Sequence, residues 1–448
     1  MISISGIRGI VGETLNPETA LHMAAAFATV SPDGEILVAS DGRTSGDSLR
    51  AACCAGLTAM GRTAVDLGVT TTPTTEIAVV AREAAGAIIV TASHNPAEWN
   101  GLKFLGPDGT FIRQEQVDRL IDTWRRGEFA WHRWENVAPV IRWDGASSEH
   151  TERILELDVI DVDACRAAAF PVVLDTINAS GGTIAPALLE KLGCRVTHVN
   201  GAIHGRFDRM PEPLPENIAS VGAAVRESGA VVGLVLDPDS DRLALLDENG
   251  VAIGEEYTLA LAVAAIREKK PGAPVVVNVS TSRMIDDVAQ RHGFTVFRTP
   301  VGEINVVDGM LALGAELGGE GNGGVIYGPL HYGRDGLLGI ALIIDILARE
   351  RVPLSELITR IPRYTIVKRK ASVDPEIRGR VLESLRNAAP IRNAELDTCD
   401  GVKLIWPDRW LHVRPSNTEP VVRIIAEAPT DRDANDLCDF ATSLIDAR

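Results

Sequence analysis

The strongest constraint on the fold is a pattern that occurs three times: an apolar strand, a polar loop, an amphipathic helix, a glycine and a second strand. It runs through EILVASDGRTSGDSLRAACCAGLTAMGRTAVDLG from Glu35, PVVLDTINASGGTIAPALLEKLGCRVTHV from Pro171 and APVVVNVSTSRMIDDVAQRHGFTVFRTPVG from Ala273. Each copy leads to another short apolar segment ending in a polar loop: AIIV then TASHNP, VVGLVL then DPDSDR, and the weaker GAELG then GEGNGG. Parallel strands need a crossover, which a helix supplies, so this order predicts three α/β domains of related topology. After Pro362 the pattern changes. A strand in RYTIVKRKASV, a helix over Pro375 to Ala388, hairpin strands in GVKLIW and WLHVR, a loop RPSNTEP, a strand VVRIIAEA and a final helix from about Asp431 predict a small α+β domain. The expected divisions are residues 1–148, 149–252, 253–362 and 363–448, with Arg125 to Ile160 linking the first two. The three strand-end loops are expected to converge on one cleft, because ligands of open α/β sheets bind at the carboxyl ends of the strands.

Composition excludes several partners. The 448 residues carry 44 basic and 61 acidic side chains, a net charge of −17, which argues against a nucleic-acid or anionic-membrane surface. The six cysteines form no CxxC pair and are expected to be reduced and packed as small apolar groups. MISISGIRGIVGE lacks the basic and apolar regions of a secretory signal, so a cytoplasmic location is the expectation. The most apolar run, Gly336 to Ala348, is interrupted by Asp345 and reads as a buried helix, too short for a membrane span.

The loops carry the chemistry. Ser93 stands just past the carboxyl end of a strand, in a loop with His94 and Asn95. Asp237, Asp239 and Asp241 alternate in DPDSDR, and in an extended segment alternate side chains share a side, so three carboxylates would converge. Hard oxygen ligands of this kind suit Mg²⁺, Mn²⁺ or Ca²⁺. An EF-hand is excluded, because Arg242 occupies the position that needs glycine. RPSNTEP offers Arg414, Ser416, Asn417, Thr418 and turn amides, a set suited to phosphate. GEGNGG allows close backbone approach around Glu320 and Asn322, as sugar hydroxyls require. Arg8 and Lys103 add cations. His94 beside Ser93 does not make a dyad, since adjacent side chains need not face each other and no separate His and Asp partners are indicated, so a hydrolase triad is a poor reading. A metal beside a serine with a phosphate site elsewhere points to phosphoryl transfer.

TASHNP with NGLK, DPDSDR, the Gly-Glu of GEGNGG, and RPSNTEP, in that order over essentially the whole chain, resemble the α-D-phosphohexomutase family. The resemblance implies three topologically related α/β domains plus a C-terminal α+β domain around a central cleft. It implies that Ser93 is a phosphoserine, that Asp237, Asp239 and Asp241 hold Mg²⁺ with the seryl phosphate, that Glu320 grips sugar hydroxyls, and that Arg414 to Thr418 hold the non-reacting phosphate. The implied reaction passes through a hexose 1,6-bisphosphate, with Arg242 offsetting phosphoryl charge, Lys103 favoured over Arg8 as the proton-transfer group, and His94 orienting. Where the family commonly has GE-x-SGH, Asn322 replaces a serine and Gly324 a histidine; the usual FGTDGIRG start is here ISISGIRG. GEGNGGVI, RTPVGEINV and GRDG are similar to an archaeal-type branch acting on glucosamine phosphates, with glucose and mannose phosphates as alternatives. A phosphatase and a non-catalytic sugar-phosphate sensor are the competing classes, and either a monomer or a homodimer is compatible with the chain.

Overall fold

The computed structural model describes residues 2–3, 6–373, 375–415 and 421–446. The chain divides into two compact units, Met1–Lys270 with Gly323–Leu357, and Pro271–Asn322 with Ile358–Arg448.

In the first unit, Ile36–Ser40 lies between Gly86–Val90 and Ala64–Val69, parallel to both. All five residues of Ile36–Ser40 and of Gly86–Val90 are buried, as strands covered on both faces must be. The helices Gly46–Ala59 and Thr72–Ala81 provide the crossovers. The second begins cleanly because Thr71 caps it, its hydroxyl accepting from Thr74 N, with a proline in the first turn. Trp99–Leu105 then returns antiparallel to Gly86–Val90. The second sheet repeats this plan. Pro171–Asp175 lies between Val232–Leu236 and Arg195–Val199, again parallel to both, and Leu243–Leu246 returns antiparallel to Val232–Leu236. In each sheet the third parallel strand in chain order, Gly86–Val90 or Val232–Leu236, therefore ends in a loop followed by an antiparallel return, which fixes that loop from both sides.

Two helices from later in the chain, Glu256–Lys269 and Gly336–Glu350, also pack in this unit. Gly336–Glu350 is the expected buried helix. Its Asp345 is fully buried and is compensated by Lys269 Nζ at 2.8 Å, Arg349 Nε at 3.1 Å and the Asp161 amide at 2.8 Å. Part of the expected linker has returned to the first sheet: Val140–Arg142 pairs in parallel with Ala64–Val69 and forms its edge.

The second unit contains the third parallel set, with Val275–Asn278 between Val296–Thr299 and Leu317–Glu320. It also contains an antiparallel sheet in the order Thr365–Ser372, Val421–Ala428, Trp410–Pro415, Val402–Ile405, Glu395–Asp397. The helices Pro375–Ile391 and Asp431–Asp446 cover this sheet, the former ending beyond the expected Ala388. Five of the six cysteines are buried as expected, and Cys399 is exposed, because it lies in the polar DTCD turn and not on an apolar face. Among the described residues no helix is long and apolar enough to cross a membrane.

Candidate active site

Strand Gly86–Val90 delivers Ser93 to a buried position, 1% exposed, with φ at +50°. A left-handed backbone costs a residue with a Cβ about 1–2 kcal/mol, so the surrounding bonds must hold it there. The Ser93 amide donates to Thr91 Oγ1 at 2.9 Å. Its hydroxyl oxygen lies 3.3 Å from His94 Nδ1 and 3.5 Å from Asp237 Oδ2. The left-handed turn brings the adjacent ring onto the hydroxyl, which adjacency in sequence does not by itself require. Burial, and then the charges of Arg242 and Arg8, push His94 well below the usual histidine range, so it is a neutral imidazole. Arg8 Nη1 donates to Asn95 Oδ1 at 3.0 Å and so fixes the next residue of the loop.

Strand Val232–Leu236 delivers the carboxylates. Asp237, Asp239 and Asp241 are all fully buried, and one oxygen from each lies within 4.8 Å of the others. Convergence is as expected, but the reason differs. The segment is a turn, with Ser240 at φ +59° and its amide bonded to Asp237 O at 3.1 Å. The turn gathers the side chains, where an extended segment would have spread them along its length. Two of the three have cationic partners. Lys103 Nζ lies 2.7 Å from Asp239 Oδ2, and Arg334 Nη2 lies 2.5 Å from Asp241 Oδ2. Thr72 adds a hydroxyl bond to Asp239 Oδ2 at 2.9 Å. Arg242 Nε stands 3.6 Å from Asp241 Oδ1, and its amide donates to Asp237 Oδ1 at 3.2 Å.

The electrostatics follow from these pairings. Burial, then Asp241 and Asp239, drive the Asp237 carboxyl well above its ordinary range. Burial works the same way on Asp239, but the Lys103 charge and bond outweigh it and hold that carboxyl below the ordinary range. Burial alone would lower Lys103, yet Asp239 and Asp241 raise it. Lys103 is therefore an ammonium, placed to neutralise charge beside Asp239. The triad also suits a hard cation. Asp239 Oδ1 and Asp241 Oδ1 are buried with no hydrogen-bond partner among the described residues, leaving acceptor capacity that an oxygen-ligated metal would use.

Arg334 was missed by sequence reasoning, although GRDG was noted for its similarity. Its loop is anchored by a buried chain of charges: His331 Nδ1 lies 3.1 Å from Glu76 Oε2, and its Nε2 lies 3.1 Å from Asp335 Oδ2. His150 Nε2 also reaches Asp335 Oδ2, at 2.8 Å, and its Nδ1 meets Thr74 Oγ1 at 2.9 Å. Asp335 then caps helix Gly336–Glu350 through the Leu337 and Leu338 amides. No local motif announces this chain, because its members are far apart in sequence.

In the second unit, Glu320 is the last residue of its strand and 4% exposed. Its Oε1 accepts from Asn278 Nδ2 at 2.7 Å and from the Gly302 amide at 3.3 Å, and Asn322 Nδ2 reaches Oε2 at 3.4 Å. Arg414 lies on Trp410–Pro415, its Nε 2.8 Å from Asp400 Oδ2. Ser416, Asn417 and Thr418 fall outside the described residues.

The chain matches the family models for phosphoglucomutase/phosphomannomutase alpha/beta/alpha domain I over residues 3–131, domain II over 148–250, domain III over 254–364 and the C-terminal domain over 351–443. A probable phosphoglucosamine mutase of Methanopyrus kandleri is 37% identical, over 98% of this chain and 96% of that one. A phosphoglucomutase/phosphomannomutase of Thermococcus kodakarensis is 35% identical, over 98% and 97%. The crystal structure of a phosphoglucomutase/phosphomannomutase family protein from Burkholderia thailandensis superposes with a TM-score of 0.87 at 28% identity, covering 100% of this chain and 98% of that one. Four domain matches in order, and relatives aligned from end to end, carry more weight than any single loop. The chain belongs to the phosphoglucomutase/phosphomannomutase family and is a phosphohexomutase, an intramolecular phosphotransferase.

Proposed function

We propose that the enzyme moves phosphate between O6 and O1 of a hexose through a phosphorylated Ser93 and a 1,6-bisphosphate, with glucosamine 6-phosphate and glucosamine 1-phosphate as its substrate pair. The observation that carries the reading is the buried Ser93 hydroxyl, 3.5 Å from Asp237 in a triad flanked by Lys103, Arg242 and Arg334. Catalysis of phosphoryl transfer is mostly positioning and charge neutralisation, and these residues supply both. The name of the Methanopyrus relative supports glucosamine; that of the Thermococcus relative keeps glucose and mannose phosphates as the alternative.

In this reading the free hydroxyl of the sugar monophosphate attacks the seryl phosphorus, the bond to Ser93 Oγ breaks, and the proton of the attacking hydroxyl passes to the departing Ser93 Oγ. The bisphosphate then turns over, and its other phosphoryl returns to Ser93. Asp237, Asp239 and Asp241 would hold Mg²⁺, which when bound supplies positive charge beside the seryl phosphate. Arg242 and Lys103 offset charge on the moving group, Arg8 holds the loop through Asn95, and neutral His94 orients Ser93. Glu320 with Asn322 reads sugar hydroxyls, and Arg414 with Ser416, Asn417 and Thr418 holds the phosphate that does not react. The cytoplasm, where sugar phosphates are made and used, is the expected location.

Phosphorus NMR of the enzyme with each hexose 6-phosphate, Mg²⁺ and the matching 1,6-bisphosphate tests the reading. The isomer should form without free phosphate, fastest with glucosamine, and intact mass should find one phosphate on the wild type and none on Ser93→Ala. Accumulating free phosphate without isomer would make the enzyme a phosphatase, and a fully active Ser93→Ala would remove the carrier.

A further inference from the structure

We propose that Arg43 is the positioning residue of the nucleophile, its guanidinium acting as the template around which the serine loop is wound. The inference rests on the reading of Ser93 as the phosphate carrier. A guanidinium has five N–H groups, and here each meets an acceptor. Nε donates to Asp41 Oδ2 at 3.0 Å. Nη1 donates to Pro96 O at 2.7 Å and Trp99 O at 3.0 Å; Nη2 donates to Ser93 O at 2.6 Å and Asn95 O at 2.8 Å. Four carbonyls of the loop that holds Ser93 thus converge on one side chain, itself 2% exposed.

The same assembly grips the other side of Ser93. Thr91 Oγ1 accepts the Ser93 amide at 2.9 Å and donates to Asp41 Oδ2 at 2.6 Å. Burial pushes the Asp41 carboxyl up, while Arg43 and the Thr91 hydroxyl pull it back. With donors on both of its oxygens, the Arg43 amide on Oδ1 among them, Asp41 is the carboxylate of an ion pair. Ser93 is therefore held at its N–H through Thr91 and Asp41, and at its C=O by Arg43 directly, on either side of its left-handed φ. That is the over-determination a strained residue needs.

Two further contacts keep the guanidinium from turning. Phe207 covers it, with Cζ 4.9 Å from the ring centroid. A Cβ at Gly205 would stand 2.4 Å from Gly42 O and 2.5 Å from Thr44 N, so the loop carrying Phe207 presses its backbone on the backbone flanking Arg43. With every N–H committed, Arg43 has no donor left for a phosphate. Its role is geometric, unlike that of Arg242 or Arg334, and lysine cannot replace it, because three N–H groups on one nitrogen cannot span four carbonyls.

The test uses Arg43→Lys and, should that variant not fold, Thr91→Val, which removes both hydroxyl bonds while leaving Arg43 in place. The full-length enzyme is mixed with Mg²⁺ and hexose 1,6-bisphosphate labelled in its phosphates. Transfer of label to Ser93 is timed, a P–O bond to Oγ forming as one to the sugar breaks and the serine proton passes to the departing oxygen. Displacing a nucleophile by about 1 Å costs on the order of 100-fold. Arg43→Lys should therefore slow transfer and kcat by about that factor, with KM for the sugar monophosphate within about threefold, and Thr91→Val should slow both by about tenfold. A folded variant of either kind that labels at the wild-type rate, or that loses KM and kcat together, overturns the proposal. A wild type that takes no label overturns the carrier reading and the proposal with it.

Discussion

Replacing Asp237 by Asn should make the metal-free enzyme more stable while making it inactive. The three fully buried carboxylates have oxygens within 4.8 Å of one another. At an effective dielectric of about 20, each such pair repels by about 3.5 kcal/mol, so one member faces about 7 kcal/mol from the other two. Lys103 pairs with Asp239 and Arg334 with Asp241, and no ion pair reaches Asp237 among the described residues. The same cations act on Asp237 from further off, and protonation of its raised carboxyl relieves part of the rest. A net gain on the order of 1–3 kcal/mol remains for the neutral amide. The sign with pH is definite. Asp237 binds its proton more tightly folded than unfolded, so metal-free wild type loses stability as pH rises above about 4 and through the folded value. The variant lacks that loss. Melting in EDTA and in Mg²⁺ reads both effects: the variant should melt a few degrees higher than wild type in EDTA at neutral pH, lose the Mg²⁺-induced rise, and lose turnover. A variant that melts lower than wild type in EDTA, or keeps the full Mg²⁺ shift, would refute the electrostatic reasoning.

Two other expectations concern the frame around the site. His331 lies between Glu76 and Asp335, which against the effect of burial raise it to about 9, with His150 facing it edge-on at 6.2 Å between ring centroids. A raised folded value means stability fully present below pH ~6.5 and lost as pH climbs through about 9, here about 3 kcal/mol. Urea unfolding across that window should show this slope in wild type and a flatter one in His331→Gln; equal slopes would contradict it. Gly101 is crossed closely by backbone on both sides, and a Cβ there would stand 2.5 Å from Ile7 O and 2.7 Å from Thr91 O. Gly101→Ala should cost about 1–3 kcal/mol in thermal unfolding and also slow turnover, since Thr91 anchors Ser93; an unchanged melting curve would show that the strands can separate freely.

The parallel sets were legible because strands covered on both faces read as uninterrupted apolar runs, and Ser93 and the three aspartates were legible because they stand where such runs stop. Their local geometry was not. Alternation in DPDSDR suggests an extended segment, but Ser240 adopts a left-handed turn, a state that serine gives no sign of favouring. Arg43 was hidden for a different reason: four of its five acceptors are backbone carbonyls, which leave no trace in residue identity. The Glu76, His331, Asp335 and His150 chain was hidden by distance along the sequence, since pairing across 185 or more residues is a property of the folded sheet order. Lys103 was found but its ion pair was not, because its nearest partner, Asp239, lies in another domain of the sequence.

The path of the chain between its units sets an order of assembly. It leaves the first unit after Lys270, re-enters at Gly323 and departs again after Leu357. Arg334, the partner of Asp241, therefore emerges from the ribosome 93 residues after it, and His331 follows Glu76 by still more. Until then Asp241 and Glu76 lack these charge partners, and a nascent chain ending near residue 322 would hold the serine and aspartate loops with Lys103 and Arg242 but without Arg334 and His331. The charged surroundings of Ser93 are thus drawn from segments on both sides of the chain's excursion into the second unit.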